Sequence, residues 1–519
     1  MIRRLLSVGG FTALSRVVGF LRDVMLAAVL GAGPLSDAFM VAFRLPNHFR
    51  AIFAEGAFNA AFLPRFTAAA TKSRKDGTPV NAQAARFADD VFAWQMAAQI
   101  VLLIAAVVCM RQIVWVLAPG FADDPAQMAL AVDLTRITFP YLLCIAVATQ
   151  LSAMMNAIGR FKAAAAAPIF LNVAMIGTLL IASHFPTVAH AAAYGVLIAG
   201  FLQLLFIVWS AARSGLRLHL RVPKLTPDVR GFFGALGAAT IGASSVQIGL
   251  FMDTLIASFL PPGDLTALYY ADRINQLPMG IIGVALGTVL LPEMSARLAK
   301  GDERGASVSQ NRAIALGLLL TLPCVAAFFT IPETLMRAMF ARGAFNVAAA
   351  DTSAVALVAY GIGLPGFVLV RCVIGSFYAR QDTATPVRAT VLSVIANILF
   401  KVVAVWGLHA GVVGIALGTS FGAWVNLLVL TFLARRRGVL VATTESWRAA
   451  ASIVVAALAA AAGFSGGKVL GAMFAPAGTR LHDEVAFLVA AALGGAAYAL
   501  VVSLARKRLP LFEPRAPTT

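Results

Sequence analysis

The sequence is poor in charged residues and in cysteine. Only 12% of its 519 residues are charged and 60% are hydrophobic, whereas charged residues make up about 25% of soluble domains. The mean hydropathy is +0.86. This composition argues against a single water-soluble core, and apolar stretches of membrane-spanning length recur along the chain. It indicates a polytopic membrane protein.

The few cysteines and the missing motifs exclude several kinds of site. The four cysteines fall singly inside apolar runs, without a CxxC pair or a Cys/His cluster, so neither disulfides nor zinc are expected. No HExxH, P-loop or Ser/His/Asp pattern occurs in a usable context. We therefore expect no metal, no cofactor and no enzymatic activity.

Acidic residues are also scarce, with 23 Asp and Glu against 41 Lys and Arg. The basic residues do not form one patch that would suit nucleic acid. Most of them lie in short loops on one side of the predicted spans, as the positive-inside rule predicts for cytoplasmic loops, and the opposite loops have few beyond Arg337, Arg342 and Arg480. We expect both termini to be cytoplasmic and the number of spans to be even.

The apolar runs predict an all-α polytopic membrane protein with about 14 transmembrane helices, because a lipid-exposed backbone must satisfy its own hydrogen bonds. The predicted spans are roughly 5–31, 35–66, 87–117, 129–156, 163–183, 191–212, 229–260, 265–296, 310–335, 348–378, 387–407, 411–434, 447–471 and 485–505.

An internal repeat divides the chain. AFLPRF around Pro64 resembles VLLPEM around Pro292, and the segments around Pro168 and Pro386 also correspond. We expect two pseudo-symmetric six-helix lobes, residues 1–222 and 223–440, with a substrate site near the midplane at their interface. Residues 441–519 add two Ala- and Gly-rich spans, which favour close helix packing, and a cytoplasmic tail.

The first two spans carry charges that a lipid-facing helix would not keep. These are Arg16, Arg22, Asp23, Asp37, Arg44, Arg50 and Glu55. Each Arg near the bilayer centre costs about 2.5–3.5 kcal/mol on insertion scales, so several together suggest a water-filled cavity that binds an anion. On a helix, Asp37, Arg44, His48, Glu55 and Asn59 fall within about 60° of one another. The alternative is a set of ion pairs that only hold helices together.

The second half supplies a matching group in YYADRINQLP, where Arg273 follows Asp272. The planar fork of Arg grips phosphate oxygens bidentately and stays charged. We predict a phosphate or diphosphate site formed by Arg16, Arg22, Arg50 and Arg273. A secondary polar set lines the same cavity: Asp23, Arg44, Asn47, Asn59, Asp272 and Gln276. Asp253 and Lys401 are the other charges inside spans, and we interpret them as a buried ion pair.

Several motifs resemble one family, the MurJ (MviN) lipid II flippases of the MOP superfamily. The motifs are SRVVGFLRD, GAGPLSDAF, LPNHFRAIFAEGAF, YYADR with GVALGTVLLPEMS, and GSFYARQDTATPVR, and the similarity runs from about residue 1 to 440. The resemblance implies a two-lobe carrier that moves the undecaprenyl-diphosphate-linked peptidoglycan precursor outward across the bacterial inner membrane. The resemblance therefore also implies a role in cell wall biogenesis and thereby in cell shape.

The resemblance also implies site residues and partners. Arg16, Arg22, Arg50 and Arg273 match the central cavity, as do Asp37 and Glu55. The expected partners are lipid II and membrane lipids, for a carrier that acts as a monomer. Transport would be coupled to the membrane potential or to a monovalent cation. Some members hold sodium between the seventh, eleventh and twelfth helices, where Lys401 would place a fixed cation instead.

Other functions stay open on the residues alone. A flippase for another polyprenyl-diphosphate oligosaccharide would need the same diphosphate contacts. A MATE-like antiporter for organic cations would need an acidic cavity, whereas this one is basic. A membrane glycosyltransferase would need an acidic metal-binding cluster, and Asp123 and Asp124 are the only adjacent acids in an outer loop. A channel is a further alternative.

Overall fold

The computed structural model describes residues 2–51, 56–71, 81–440, 443–476, 478–479 and 481–506. All regular secondary structure in these ranges is helical, which confirms the all-α prediction. The chain forms two compact units. The first comprises Met1–Gly263 with Gly343–Phe345, and the second comprises Asp264–Arg342 with Asn346–Thr519.

The helices of the first unit are α1 (Ile2–Leu30), α2 (Pro34–Phe49), α3 (Ala57–Thr71), α4 (Ala82–Val108), α5 (Met110–Leu117), α6 (Pro125–Thr138), α7 (Tyr141–Ala157), α8 (Lys162–Leu180), α9 (Val188–Arg213) and α10 (Pro227–Ala257). Within this unit α8 packs against α1 and α9, α2 packs against α6, and α3 packs against α10.

The helices of the second unit are α11 (Asp264–Ala299), α12 (Glu303–Thr330), α13 (Pro332–Phe340), α14 (Val347–Tyr378), α15 (Ala384–Val402), α16 (Gly411–Arg436), α17 (Thr444–Phe474) and α18 (His482–Leu504). Here α14 packs against α11, α12 and α16, and α17 packs against α12 and α18.

Short polar side chains begin many of these helices. Asn81, Asp124, Thr187, Thr226 and Asn346 each accept a hydrogen bond from a main-chain N–H two or three residues later. These N-caps satisfy amide groups that the first turn leaves without a helical partner. After each N-cap the apolar run continues as helix, because a helix satisfies its backbone hydrogen bonds within the segment.

Ten helical segments in the described part of the chain are long and apolar enough to cross a membrane. They coincide with ten of the predicted spans. The other four predicted spans, 5–31, 35–66, 229–260 and 265–296, fall on α1, α2 with α3, α10 and α11. Three of these four contain the charges singled out for the cavity. The total of 14 spans stays a prediction.

Some predicted spans consist of two helices. The span 35–66 comprises α2 and α3, with residues 52–55 between them outside the described ranges. The span 87–117 breaks at Cys109 between α4 and α5, and 129–156 breaks at Phe139–Pro140 between α6 and α7. Proline explains the second break because its ring clashes with the preceding helical turn.

The last two helices pack closely, as the Ala- and Gly-rich sequence predicted. A methyl group on Gly467 of α17 would lie 2.5 Å from Cα of Ala490 on α18, and one on Gly471 would lie 2.5 Å from Cα of Ala486. Small residues four apart on one helix face bring the two backbones together.

The division into compact units does not test the predicted repeat. The units are defined by packing, and α10 belongs to the first of them, whereas the predicted lobes are defined by sequence similarity. The lobes 1–222 and 223–440 and the extra segment 441–519 therefore stay predictions.

Candidate functional site

Arg22 of α1 forms a buried ion pair with its neighbour in the chain. Its Nη2 and Nε lie 2.6 and 3.1 Å from Oδ1 of Asp23, and the two residues are only 5% and 4% exposed. The guanidinium also lies 5.7 Å from the centre of the Phe43 ring. Because both charges are buried together, the Arg22 side chain has a fixed position inside the first unit.

Asn172 of α8 completes this arrangement and was not predicted from the sequence. Its Oδ1 accepts a hydrogen bond of 3.0 Å from Nη1 of Arg22, and its Nδ2 donates one of 3.0 Å to the main-chain oxygen of Ser15. Gly19 leaves room for the amide, since a methyl group there would lie 3.2 Å from Nδ2. The sequence feature that could have identified Asn172 is its position as a single Asn inside an apolar run, because a buried amide needs hydrogen-bond partners.

Arg16 has a different environment from Arg22, although both lie on α1. Its side chain is exposed in the first unit. The predicted anion site therefore includes one arginine that is held by protein groups and one that presents its guanidinium at the surface of its unit.

The polar face predicted for α2 contacts α10 and the loop after it. Nη1 of Arg44 donates a 3.0 Å hydrogen bond to Oγ1 of Thr254, and Nδ1 of His48 lies 3.0 Å from Oε1 of Gln247. Oδ2 of Asp37 accepts a 2.6 Å hydrogen bond from the main-chain nitrogen of Gly263. The sequence predicted that these three residues share one face of a helix. The structure shows that this face contacts α10 and the loop after it.

The remaining predicted residues of the first unit lie near the end of α2 and in α3. Arg50 is half-buried beyond the last residue of α2, and Asn59 is half-buried in α3. Nδ2 of Asn47 donates a 2.8 Å hydrogen bond to the main-chain oxygen of Phe43. Glu55 lies outside the described residues.

Arg273 lies in α11, in the second unit. Its Nη2 donates a 2.7 Å hydrogen bond to the Tyr269 hydroxyl, and its guanidinium carbon lies 4.7 Å from the centre of the same ring. One turn further, Gln276 donates to Asp272. Both pairs are four residues apart, the spacing that makes helical side chains neighbours. Tyr269 is a partner that YYADR already contained.

Asp253 and Lys401 lie in different units. Asp253 is half-buried in α10, and Lys401 in α15 is completely buried with its aliphatic stem against Gly418 of α16. Their pairing stays a prediction. Among the described residues, no group of three or more His, Cys, Asp or Glu could hold a metal ion.

The comparisons with known proteins agree on one family. The family model described as "Lipid II flippase MurJ" matches residues 26–474, a range that includes Arg50 and Arg273. The "Probable lipid II flippase MurJ" of Rhizobium meliloti (strain 1021) is 42% identical over 436 residues, which cover 83% of this chain and 80% of the relative. The "Lipid II flippase MurJ" of Burkholderia cenocepacia is 34% identical over 449 residues, covering 85% and 84%.

Solved structures show the same fold. A "Lipid II flippase MurJ, inward closed conformation" superimposes with a TM-score of 0.79 at 21% identity, over 96% of this chain and 99% of that one. An inward-facing MATE family transporter of the MOP superfamily gives a TM-score of 0.63 at 15% identity, over 83% and 97%. Because the family model matches most of the chain and both relatives exceed 30% identity over four fifths of their length, the chain belongs to the MurJ family of lipid II flippases.

Proposed function

We propose that this multi-pass membrane protein moves lipid II from the cytoplasmic to the periplasmic leaflet of the bacterial inner membrane by alternating access. In this proposal both termini are cytoplasmic, the carrier acts as a monomer, and no bond of the lipid is made or broken. Membership of the MurJ family over residues 26–474 carries the proposal.

The proposed contacts of the diphosphate in the first unit are Arg16, Arg22 and Arg50. An arginine fork can meet two phosphate oxygens at once, and its charge persists at every physiological pH. Arg16 is exposed in its unit, and Arg22 already has a fixed position beside Asp23 and Asn172. Asp37 and Glu55 are proposed as further substrate-binding residues of the same cavity, outside the arginine contacts of the diphosphate, and the contribution of Arg273 stays a prediction from the sequence.

We further propose that the membrane potential resets the carrier. Lipid II carries about two negative charges on its diphosphate, and moving one charge through the potential changes the free energy by about 2.3 kcal/mol per 100 mV. In the loaded carrier the arginines neutralise the diphosphate, so that step is insensitive to the field. The emptied carrier retains positive charge, which an inside-negative potential draws back toward the cytoplasm.

The transport proposal is tested by expressing this chain as the sole lipid II flippase in a bacterium whose own flippase can be depleted. We expect normal growth and lipid II that an impermeant reagent can modify from the periplasmic side. Cells depleted of both proteins are the control, and lipid II should accumulate in their inner leaflet.

Two results would contradict the proposal. Accumulation of a different polyprenyl-diphosphate oligosaccharide in the inner leaflet would indicate a flippase for that lipid. Resistance to organic cations without any rescue of lipid II transport would indicate a MATE-like antiporter.

The potential is tested separately by collapsing it while the pH gradient is kept, then trapping the conformation with paired cysteines. We expect the outward-facing state to accumulate, and an unchanged rate of resetting would refute this step.

A further inference from the structure

The segment between α9 and α10 has an alternating sequence that the transport proposal does not use. Residues 216–225 read LRLHLRVPKL, with apolar side chains at even positions as far as Val222 and basic side chains between them. The segment contains no helix. In extended backbone, successive side chains point to opposite sides, so the alternation separates an apolar side from a basic side.

Asp89 of α4 contacts the basic side of this segment. Its carboxylate is buried, with only 2% of the side chain exposed. Its Oδ1 accepts a 3.0 Å hydrogen bond from the His219 main-chain nitrogen, and its Oδ2 lies 3.2 Å from Nε of Arg221. Nε1 of Trp94, also on α4, donates to the main-chain oxygen of Lys224. These contacts hold the segment against α4 in one orientation.

The apolar side chains that follow Leu216 in the segment are largely exposed. Leu220 is 72% exposed and Val222 is 78% exposed, whereas Leu216 at the start of the segment is buried. Exposing Leu220 and Val222 to water is unfavourable. The contacts of His219 and Arg221 with Asp89 nevertheless keep this part of the segment in place. A lipid environment at this position would remove that cost.

Two tryptophans indicate that the segment lies at the level of the lipid headgroups. Trp209, in the last turns of α9, is 52% exposed and carries the Arg213 guanidinium 4.1 Å from its ring centre. Trp94 presents its indole N–H to the segment itself. Tryptophan concentrates at membrane–water interfaces because one end of its ring is apolar and the other is a hydrogen-bond donor.

We propose that residues 216–225 form an interfacial anchor that binds anionic phospholipid. Leu220 and Val222 enter the acyl-chain boundary. Arg217 and Lys224, which lie toward the two ends of the segment and are both exposed, extend their long side chains to the lipid phosphates. The charge of the segment selects an anionic lipid over a zwitterionic one. This binding surface goes beyond lipid II transport and would hold the connection between α9 and α10 against one leaflet.

The experiment uses the full-length protein without its four native cysteines, reconstituted in vesicles of equal parts phosphatidylcholine and phosphatidylglycerol. Single cysteines at residue 219, 220 or 222 carry a bimane fluorophore, and lipids brominated near the headgroup quench it. His219 is the matched control, because its side chain is 64% exposed but is turned toward Asp89. We expect strong quenching for Leu220→Cys and Val222→Cys and weak quenching for His219→Cys.

The choice of lipid is tested by brominating one lipid at a time. At residue 220, brominated phosphatidylglycerol should quench more than brominated phosphatidylcholine. Combining Arg217→Gln with Lys224→Gln should remove most of this preference, and Lys300→Gln with Arg304→Gln should leave it unchanged. Equal quenching at 219 and 220, no quenching at 220 or no preference for the anionic lipid would each overturn the proposal.

Discussion

Asp37 accepts a 2.6 Å hydrogen bond from the main-chain nitrogen of Gly263, which lies 226 residues later in the chain. Asp37 is only 2% exposed, and Gly263 adopts a φ of +97°, a conformation that other residues rarely adopt. The carboxylate thus holds the loop after α10 against the beginning of α2. Asp37 has a structural contact in addition to the substrate role proposed for it.

Replacing Asp37 by Ala should destabilise the protein by about 1–3 kcal/mol, because the Gly263 N–H loses its acceptor in a buried position. Thermal unfolding in detergent measures the effect. Asp37→Asn is the matched control, since it keeps an acceptor oxygen without the charge. If Asp37→Asn retains stability but loses transport, the negative charge of Asp37 is needed for transport and not for the fold. Equal stability of Asp37→Ala and the parent would contradict the structural role.

Arg16 and Arg22 should respond differently to truncation. Arg22→Ala removes the buried Arg22–Asp23 ion pair and should cost about 3–5 kcal/mol of stability, whereas exposed Arg16→Ala should keep stability. Both should abolish growth when the chain is the sole flippase. Thermal unfolding and complementation, measured on the same variants, separate the two effects.

Lysine at either position should rescue transport only in part, because it retains the charge but loses the bidentate fork. The double variant Arg22→Ala/Asp23→Ala should be more stable than Arg22→Ala alone, since it removes both charges of the buried pair. Normal growth with Arg16→Ala and Arg50→Ala would place the diphosphate site elsewhere.

The close contact between α17 and α18 predicts a position-specific effect of side-chain size. Gly467→Leu should destabilise the protein by about 1–3 kcal/mol, because the backbones must separate to admit the side chain. Gly466, one residue earlier, has no other group within 4 Å of the position of a methyl group. Gly466→Leu should therefore keep the parent's unfolding temperature, and equal losses for both variants would contradict the packing.

Asp382, in the turn between α14 and α15, should contribute stability that depends on pH. The Thr385 hydroxyl, the Thr385 amide and the Arg437 guanidinium all bond to its carboxylate and lower its pKa from 3.8 to about 2. A lowered folded-state pKa means that the stabilisation is complete above about pH 4 and is lost as the pH falls toward 2.

Asp382→Asn should therefore be less stable than the parent at pH 7, and the difference should shrink between about pH 4 and pH 2. Unfolding temperatures in detergent across this range measure it. Arg437→Gln removes one of the three donors and should move the transition to higher pH. A difference between parent and Asp382→Asn that does not vary with pH would refute the assignment.

The sequence by itself determined the helical fold, the membrane class and the family. Long apolar runs allow only helices where water is absent, and short polar residues such as Asn81 and Asp124 begin helices by a local hydrogen bond. That Asp37, Arg44 and His48 share one helix face also followed from helical periodicity alone. Helix formation, N-caps and the shared face of a helix all depend on residues that are close together in the sequence.

Only the tertiary structure decided what these side chains contact. Asn172 meets Arg22 across 150 residues, and Thr254 meets Arg44 across 210. Periodicity orients a side chain on its own helix but does not say which helix packs there. The break at Cys109 within the predicted span 87–117 was likewise not predicted. Partners of buried charges depend on the whole fold, because an unpaired charge is tolerated only where distant parts of the chain supply its bonds.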